Sequence, residues 1–289
     1  MVWGQSPPSQ ASRLAPVIQL TRSVRFSLSN TFQTPNTVLP ERSQGYAGVG
    51  TAWDSGWGAF HQLDVSLHGP IDPVLGYLVD IKVIDRAVHH AVVPILADGF
   101  RAAAEPVTVL SSAVAALNAE LSGRLVGVTW KLSPFLSISM NTQHPDRALI
   151  RVRFEFAASH RLHVASLSAE ENVRHFGKCN HASGHGHNYV FEPAVEVTPG
   201  SGKGLTASQI ERICDRVILQ RYDHKHLNLD TPEFAEGSGL NPSVENIAMV
   251  FFGLLKPEIE AAGPNVRLHC VTVWETDAPH PPCPCLKQQ

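Results

Sequence analysis

The chain has 289 residues, 43% of them hydrophobic and 17% charged, with a formal net charge of −3. That length suits two domains of about 145 residues each, and the balance is that of an ordinary globular chain. Scattered Lys and Arg exclude a concentrated basic face of the kind a nucleic-acid partner needs. No apolar run approaches the roughly 18 residues that span a bilayer, so neither a membrane nor a nucleic acid is expected as partner. The first twenty residues mix Pro, Ser and Gln without an apolar core behind a basic start, so no secretory signal is expected in them. Cys179, Cys214, Cys270, Cys283 and Cys285 are an odd number, spread too widely to suggest a disulfide framework. A reducing, cytoplasmic setting is the expectation.

In chain order, Val24-Arg25-Phe26-Ser27-Leu28 alternates apolar and polar as a strand does, and a second strand follows over about 61–68. Asp80 caps a helix whose apolar positions are Ile81, Ile84, Val88, Ala91 and Val92. A second helix starts near Pro106 and runs through Leu110, Val114, Leu117 and Leu121, and strand-like segments close this half around 134–140. A polar stretch, Asn141 to Asp146, then links it to a second half built alike. Val152-Arg153-Phe154-Glu155-Phe156 repeats the opening strand, and a strand over about 188–198 follows. Ser208-Gln209-Ile210-Glu211 reads as a capping box, ahead of an apolar face of Ile210, Ile213, Cys214, Val217 and Ile218. The last helix starts at Asn241-Pro242, with Pro at its first position, and carries Val244, Ile247, Ala248, Phe251, Phe252 and Leu255; strands end near 268–275.

The unit strand–strand–helix–helix–strand–strand therefore occurs twice, at 1–145 and 146–289. The predicted fold class is α+β, each unit a four-stranded antiparallel sheet with two helices on one face. A Pro/Cys tail from about 278 is predicted to be disordered.

The histidines cluster between His160 and His226. His185-Gly186-His187 opens a strand, where residues i and i+2 share a face, and the preceding strand ends on His160. Three imidazoles around Zn²⁺ leave its fourth tetrahedral position open, the catalytic arrangement. A His-rich surface loop is the bland alternative; the placement of the third His decides for the metal. Cys179 follows Lys178 and lies close in sequence to the HxH pair. Its thiol reads as a base or nucleophile with a lowered pKa, with a fourth zinc ligand or a buried small residue as alternatives. Asp223 beside His224 suits proton transfer, although such pairs are common in loops. Glu245 in the first turn of the last helix also simply favours the helix dipole. Glu275 ends an apolar strand and needs a partner, either a heterocycle with two N–H donors or an Arg.

Phe156-Ala157-Ala158-Ser159-His160-Arg161-Leu162-His163, Ser166 to Asn172, Phe176-Gly177-Lys178-Cys179-Asn180 and Gly184-His185-Gly186-His187-Asn188-Tyr189 together resemble the 6-pyruvoyl-tetrahydropterin synthase family. The resemblance runs on through Asp223-His224-Lys225 and Pro242-Ser243-Val244-Glu245-Asn246 to Glu275-Thr276-Asp277. It implies two tandem tunnelling-fold units and Zn²⁺ on His160, His185 and His187. It also implies proton shuttling by Cys179, Asp223 and His224, and a pterin held by Glu275 with Ser243 and Glu245. The substrate it implies is 7,8-dihydroneopterin triphosphate, the product 6-pyruvoyl-tetrahydropterin, and the assembly a homotrimer of tandem chains. Two alternatives stand beside that: a 6-carboxy-tetrahydropterin synthase on the same substrate, and a non-catalytic zinc- and pterin-binding scaffold.

The family's Gly-x-x-Asp-Pro-x-x-Gly turn is kept in the first half (Gly69 to Gly76) and replaced in the second by Thr198 to Gly204. Aligned by eye, the first half has Asn30 for His160, Ala59 for His185, Phe60 for Gly186, Gly99 for His224 and Met140 for Glu275. Only His61 is left opposite His187, and it reads as a structural residue.

Overall fold

The computed structural model describes residues 17–28, 59–200 and 205–276. Asn30, most of the glycine-rich turn that ends at Gly204, Asp277 and the Pro/Cys tail lie outside the described residues.

The chain is α+β, built on one sheet that runs through both halves. In the first half β1 (Val17–Leu28) pairs with β2 (Ala59–Pro70), then come α1 (Ile81–Ala87), α2 (Val93–Arg101) and α3 (Pro106–Glu120), and β3 (Leu125–Ser133) and β4 (Leu136–Asn141) complete the antiparallel order β1-β2-β3-β4. Asp80 caps α1, its carboxylate accepting from the Lys82 amide, as its short polar side chain predicts.

The sheet continues without a gap because β4 pairs with β5 (Ala148–Val152), Met140 opposite Ala148. β5 and β6 (Phe154–His160) are two lengths of one strand. Ala148 faces Val197 and His160 faces His185 in an unbroken antiparallel register along β7 (His185–Val197). The interruption is at Arg153, whose N–H turns away to the Phe135 carbonyl of the β3–β4 hairpin at 2.8 Å. β9 (Val266–Trp274) lies on the other side of β7, and the two-residue β8 (Lys225–His226) runs parallel to β6 beside Ala158 and Ser159. Between them come α4 (Ala169–Phe176), α5 (Ala207–Cys214), α6 (Gln220–Tyr222), α7 (Leu227–Asp230) and α8 (Val244–Glu260).

Alternation along the strands sends Phe26, Leu63, Phe156 and Phe191 to one face, where the apolar stripes of α3 and α8 cover them. Phe251 of α8 meets the rings of Phe156, Phe191 and Tyr222. Each such side chain contributes about 1.5–3 kcal/mol by leaving water.

The first helix of each half is broken by a π turn, over Val88–Val92 and Asp215–Leu219, seven and eight residues after the helix starts. A π turn is uncommon, and its recurrence at matching places is a structural likeness between the halves beyond their similar strands.

Four readings of the sequence are corrected. The capping box before α5 is Thr206 with Gln209, not Ser208 with Glu211; a start two residues earlier buries Leu205. Pro242 precedes the helix instead of opening it, and Ser243 is the cap of α8. Met140 lies in β4, a strand further from β2 than the place Glu275 holds after β9, so the two are not equivalent. In the second half a single strand follows α8 among the described residues, where two were expected.

Candidate metal centre and active site

The site forms where β6 ends against the start of β7. His160 pairs with His185, Ala158 with His187 and Phe156 with Tyr189. His185, His187 and Tyr189 alternate along β7, so all three point to the same face as His160. Ring centroids are 4.6 Å apart for His160 and His185, 5.1 Å for His160 and His187, and 4.7 Å for His185 and His187.

His160 is fully buried, and its Nδ1 lies 2.8 Å from the Pro242 carbonyl. A carbonyl only accepts, so Nδ1 carries the proton and Nε2 presents a lone pair. His185 Nε2 and Glu275 Oε1 each lie 3.2 Å from that Nε2, and Glu275 Oε1 is 3.5 Å from His187 Nε2. Two nitrogens about 2.0–2.1 Å from one tetrahedral Zn²⁺ sit about 3.3 Å apart, which the His160–His185 separation matches. Electron-pair donors this close repel unless a cation stands among them. His187 Nε2 is, moreover, buried without a hydrogen-bond partner, and a bound ion is one of the things that satisfies such an atom. Burial, and then the neighbouring His160, lower the pKa of His185; burial leads for His187 as well. Both rings are therefore neutral and able to act as ligands at neutral pH. Together His160, His185, His187 and Glu275 form a group that could hold a metal ion.

Glu275 was expected to hold a flat heterocycle, yet it stands against the imidazoles. The Tyr189 hydroxyl lies 3.2 Å from His160 Nδ1. Its pKa is raised by burial first, then by Glu275 and by Cys179. The Cys179 thiol thus lies within electrostatic reach of the phenol that touches His160. Cys179 itself sits in the single turn Gly177–Asn180 that follows α4, its carbonyl accepting from the Leu162 amide at 2.9 Å.

Asp223 and His224 clasp the edge of β6 at Ala157. Asp223 Oδ1 accepts from the Ala157 amide at 2.9 Å, and the His224 amide donates to the Ala157 carbonyl at 2.6 Å. His224 adopts φ of 57°, in the left-handed region, which lets two successive residues grip one residue of the strand. Its Nδ1 is 2.9 Å from Asp223 Oδ2, and its ring is 82% exposed. Burial pushes the Asp223 carboxyl up, but the Ala157 amide and the His224 side chain outweigh it and the net shift is down. These bonds run to each other and to Ala157, not to the three imidazoles.

Ser243 uses its hydroxyl as the cap of α8, accepting from the Asn246 amide, and Glu245 is exposed in the first turn. Neither enters the cluster; the Pro242 carbonyl is what this segment contributes. Sequence reasoning missed that carbonyl, which has no residue signature. It also missed Tyr189, although its spacing of two from His187 signals the shared face. In the first half His61 is buried beneath Phe26 and Trp130, its Nδ1 accepting from the Trp130 indole at 3.2 Å. Burial lowers its pKa to about 4, as befits a structural residue.

An imidazole cluster beside a carboxylate, at the end of a strand clasped by an Asp–His pair, gives this α+β protein a group that could hold a metal ion. A model of the family described as 6-pyruvoyl tetrahydropterin synthase matches residues 149–279. The human 6-pyruvoyl tetrahydrobiopterin synthase is 37% identical over 133 residues, covering 45% of this chain and 87% of the human protein. That of Drosophila melanogaster is 39% identical over 126 residues, covering 41% and 72%. The solved structure of Caenorhabditis elegans 6-pyruvoyl tetrahydropterin synthase is 31% identical, covers 50% of this chain and 96% of that one, and gives a TM-score of 0.43. The chain belongs to the 6-pyruvoyl tetrahydropterin synthase family.

Proposed function

We propose that this protein is a zinc-dependent lyase that converts 7,8-dihydroneopterin triphosphate to 6-pyruvoyl-tetrahydropterin with release of triphosphate. The observation that carries this reading is the convergence of His160, His185 and His187, with the Nε2 atoms of His160 and His185 3.2 Å apart, in a chain of this family. Zn²⁺ held there supplies Lewis-acid polarisation of the substrate's side-chain oxygens, which makes the adjoining C–H acidic.

The protein's own groups move the protons. Cys179 acts as the base that removes the proton from carbon. Asp223 fixes the His224 tautomer through Nδ1, leaving the exposed Nε2 to exchange protons with the substrate. Glu275, ionised, accepts the paired N–H donors of the pterin, and the segment of Ser243 and Glu245 borders the same pocket. The ring is reduced as the side chain is oxidised, so no separate redox cofactor takes part. Residues 146–289 are the catalytic unit on this reading, and residues 1–145 a tunnelling-fold unit without the metal ligands. Three chains form a cytoplasmic homotrimer. No helix among the described residues is long and apolar enough to cross a membrane.

One observation favours a second reading. Glu275 Oε1, 3.2 Å from His160 Nε2, is placed like a fourth ligand, and a closed four-ligand site would make the protein a zinc- and pterin-binding scaffold. Feeding 7,8-dihydroneopterin triphosphate to the purified protein and analysing products by mass spectrometry tests both. Triphosphate with 6-pyruvoyl-tetrahydropterin is the expected outcome. Acetaldehyde with a 6-carboxy product would make it a 6-carboxy-tetrahydropterin synthase, and absence of turnover with zinc bound would favour the scaffold.

A further inference from the structure

We infer that Arg161 is a positioning residue that fixes the Cys179 segment and the Asp223–His224 segment against the metal ligand His160. The inference rests on the proposed roles of those residues and extends them to one that no part of that reading uses.

Arg161 directly follows His160, and its bonds reach three separate segments. Its backbone N–H donates to Asn228 Oδ1 at 2.7 Å, and its carbonyl accepts from Asn228 Nδ2 at 3.1 Å. Asn228 thus reads both backbone groups of Arg161 as a neighbouring strand would, four residues after His224. The guanidinium donates through Nε to the Asn180 carbonyl at 3.2 Å, one residue past Cys179. Nη1 reaches Glu236 Oε1 at 3.1 Å, and the Glu236 amide donates back to the Asn228 carbonyl. A planar fork that makes two directed bonds at a fixed angle sets position as well as distance, which a lysine ammonium does not.

The Cys179 turn needs such a clamp. Gly177 and Gly184, on either side of it, have φ of 50° and 69°, and such residues leave a connecting segment with few preferred conformations of its own. Gly184 is also confined: a Cβ there would come within 2.7 Å of His226 Nε2 and 2.8 Å of the His160 carbonyl. A second clamp joins His163 Nδ1 to Asn180 Oδ1 at 2.9 Å. The residues after His160 therefore hold the turn through Asn180, while the residues before it are gripped by Asp223 and His224. Displacing a reacting group by about 1 Å can lower a rate about a hundredfold without touching the binding of substrate or metal.

The test uses the full chain with zinc bound and compares Arg161→Ala, Arg161→Lys and Cys179→Ala. Three quantities are read: zinc content, kcat against KM, and the rate at which iodoacetamide alkylates Cys179, followed by peptide mass mapping. Arg161→Ala should keep zinc, lose about tenfold or more in kcat with KM within about threefold, and alkylate several times faster as the turn is freed. Arg161→Lys should recover only a minor part of the kcat. Should Arg161→Ala not fold, Arg161→Lys, which keeps the charge but loses the planar fork, should move kcat and alkylation in the same direction by less, and no movement in either would overturn the inference. Unchanged kcat and alkylation in Arg161→Ala would overturn the inference, and so would loss of zinc in step with kcat. If Cys179→Ala kept full activity, the role proposed for the thiol would fail. The alkylation rates would still decide whether Arg161 positions the turn.

Discussion

The Nδ1–H of His160 donates to the carbonyl of Pro242 across 2.8 Å, joining the end of β6 to the residue before the cap of α8, 82 positions further along the chain. The bond fixes the tautomer of the most buried imidazole and aims its Nε2 at His185 and Glu275. Contacts of this kind fix the tautomer and ring orientation of a histidine that binds a metal.

Metal content is the first prediction. The purified protein should hold about one Zn²⁺ per chain, because among the described residues a single cluster has the donors for it. His185→Ala should lose the metal, since the remaining imidazoles bind it weakly. Glu275→Gln should keep zinc and lose turnover if the carboxylate anchors the pterin. Elemental analysis showing zinc lost from that variant would make Glu275 a ligand.

Cys179→Ala should retain fold and zinc while kcat falls by about two orders of magnitude or more, the usual scale for removing a proton-transfer group. Loss of zinc with the thiol would mean that sulfur is a ligand. Near-native turnover would end its role as base.

His61 predicts an acid-sensitive first half. Its folded pKa is about 4, against the ordinary 6.5 of the unfolded chain. The folded state therefore binds fewer protons than the unfolded state between those values. Its stabilising contribution is complete above 6.5 and is lost as pH falls toward about 4. A gap of that size is worth about 3 kcal/mol. Urea unfolding at about pH 7 and about pH 4 should show the native protein losing about that much more stability than His61→Gln, which still accepts from the Trp130 indole but does not titrate. Parallel losses in the two proteins would show that His61 is protonated in the folded state.

Assembly is the last prediction. β1 is bonded to β2 alone among the described strands, and an edge twelve residues long invites pairing with another chain. Light scattering should give a mass about three times the 31.4 kDa of one chain. A stable monomer that turns over substrate would refute closure between chains.

The convergence of His160, His185 and His187 was legible in the sequence because their spacing sets which face they share. Helix caps were legible as residue types, though Thr206 displaced Ser208 once Leu205 was buried. Alternation in Val24 to Leu28 and in Phe154 to Phe156 likewise announced strands, which β1 and β6 are. What only the tertiary structure decided depends on atoms that carry no residue identity or on pairings between distant segments. The Pro242 carbonyl is a backbone group like any other until α8 brings it under His160. Glu275 stands against the imidazoles because β9 lies beside β7 and ends opposite Val190, near the start of β7 that carries them, and the sheet order, not the composition of either strand, sets that. In the sequence Arg161 is named only as the residue after His160 in its motif. It becomes a junction because Asn180, Asn228 and Glu236, distant along the chain, converge on one guanidinium and one peptide group.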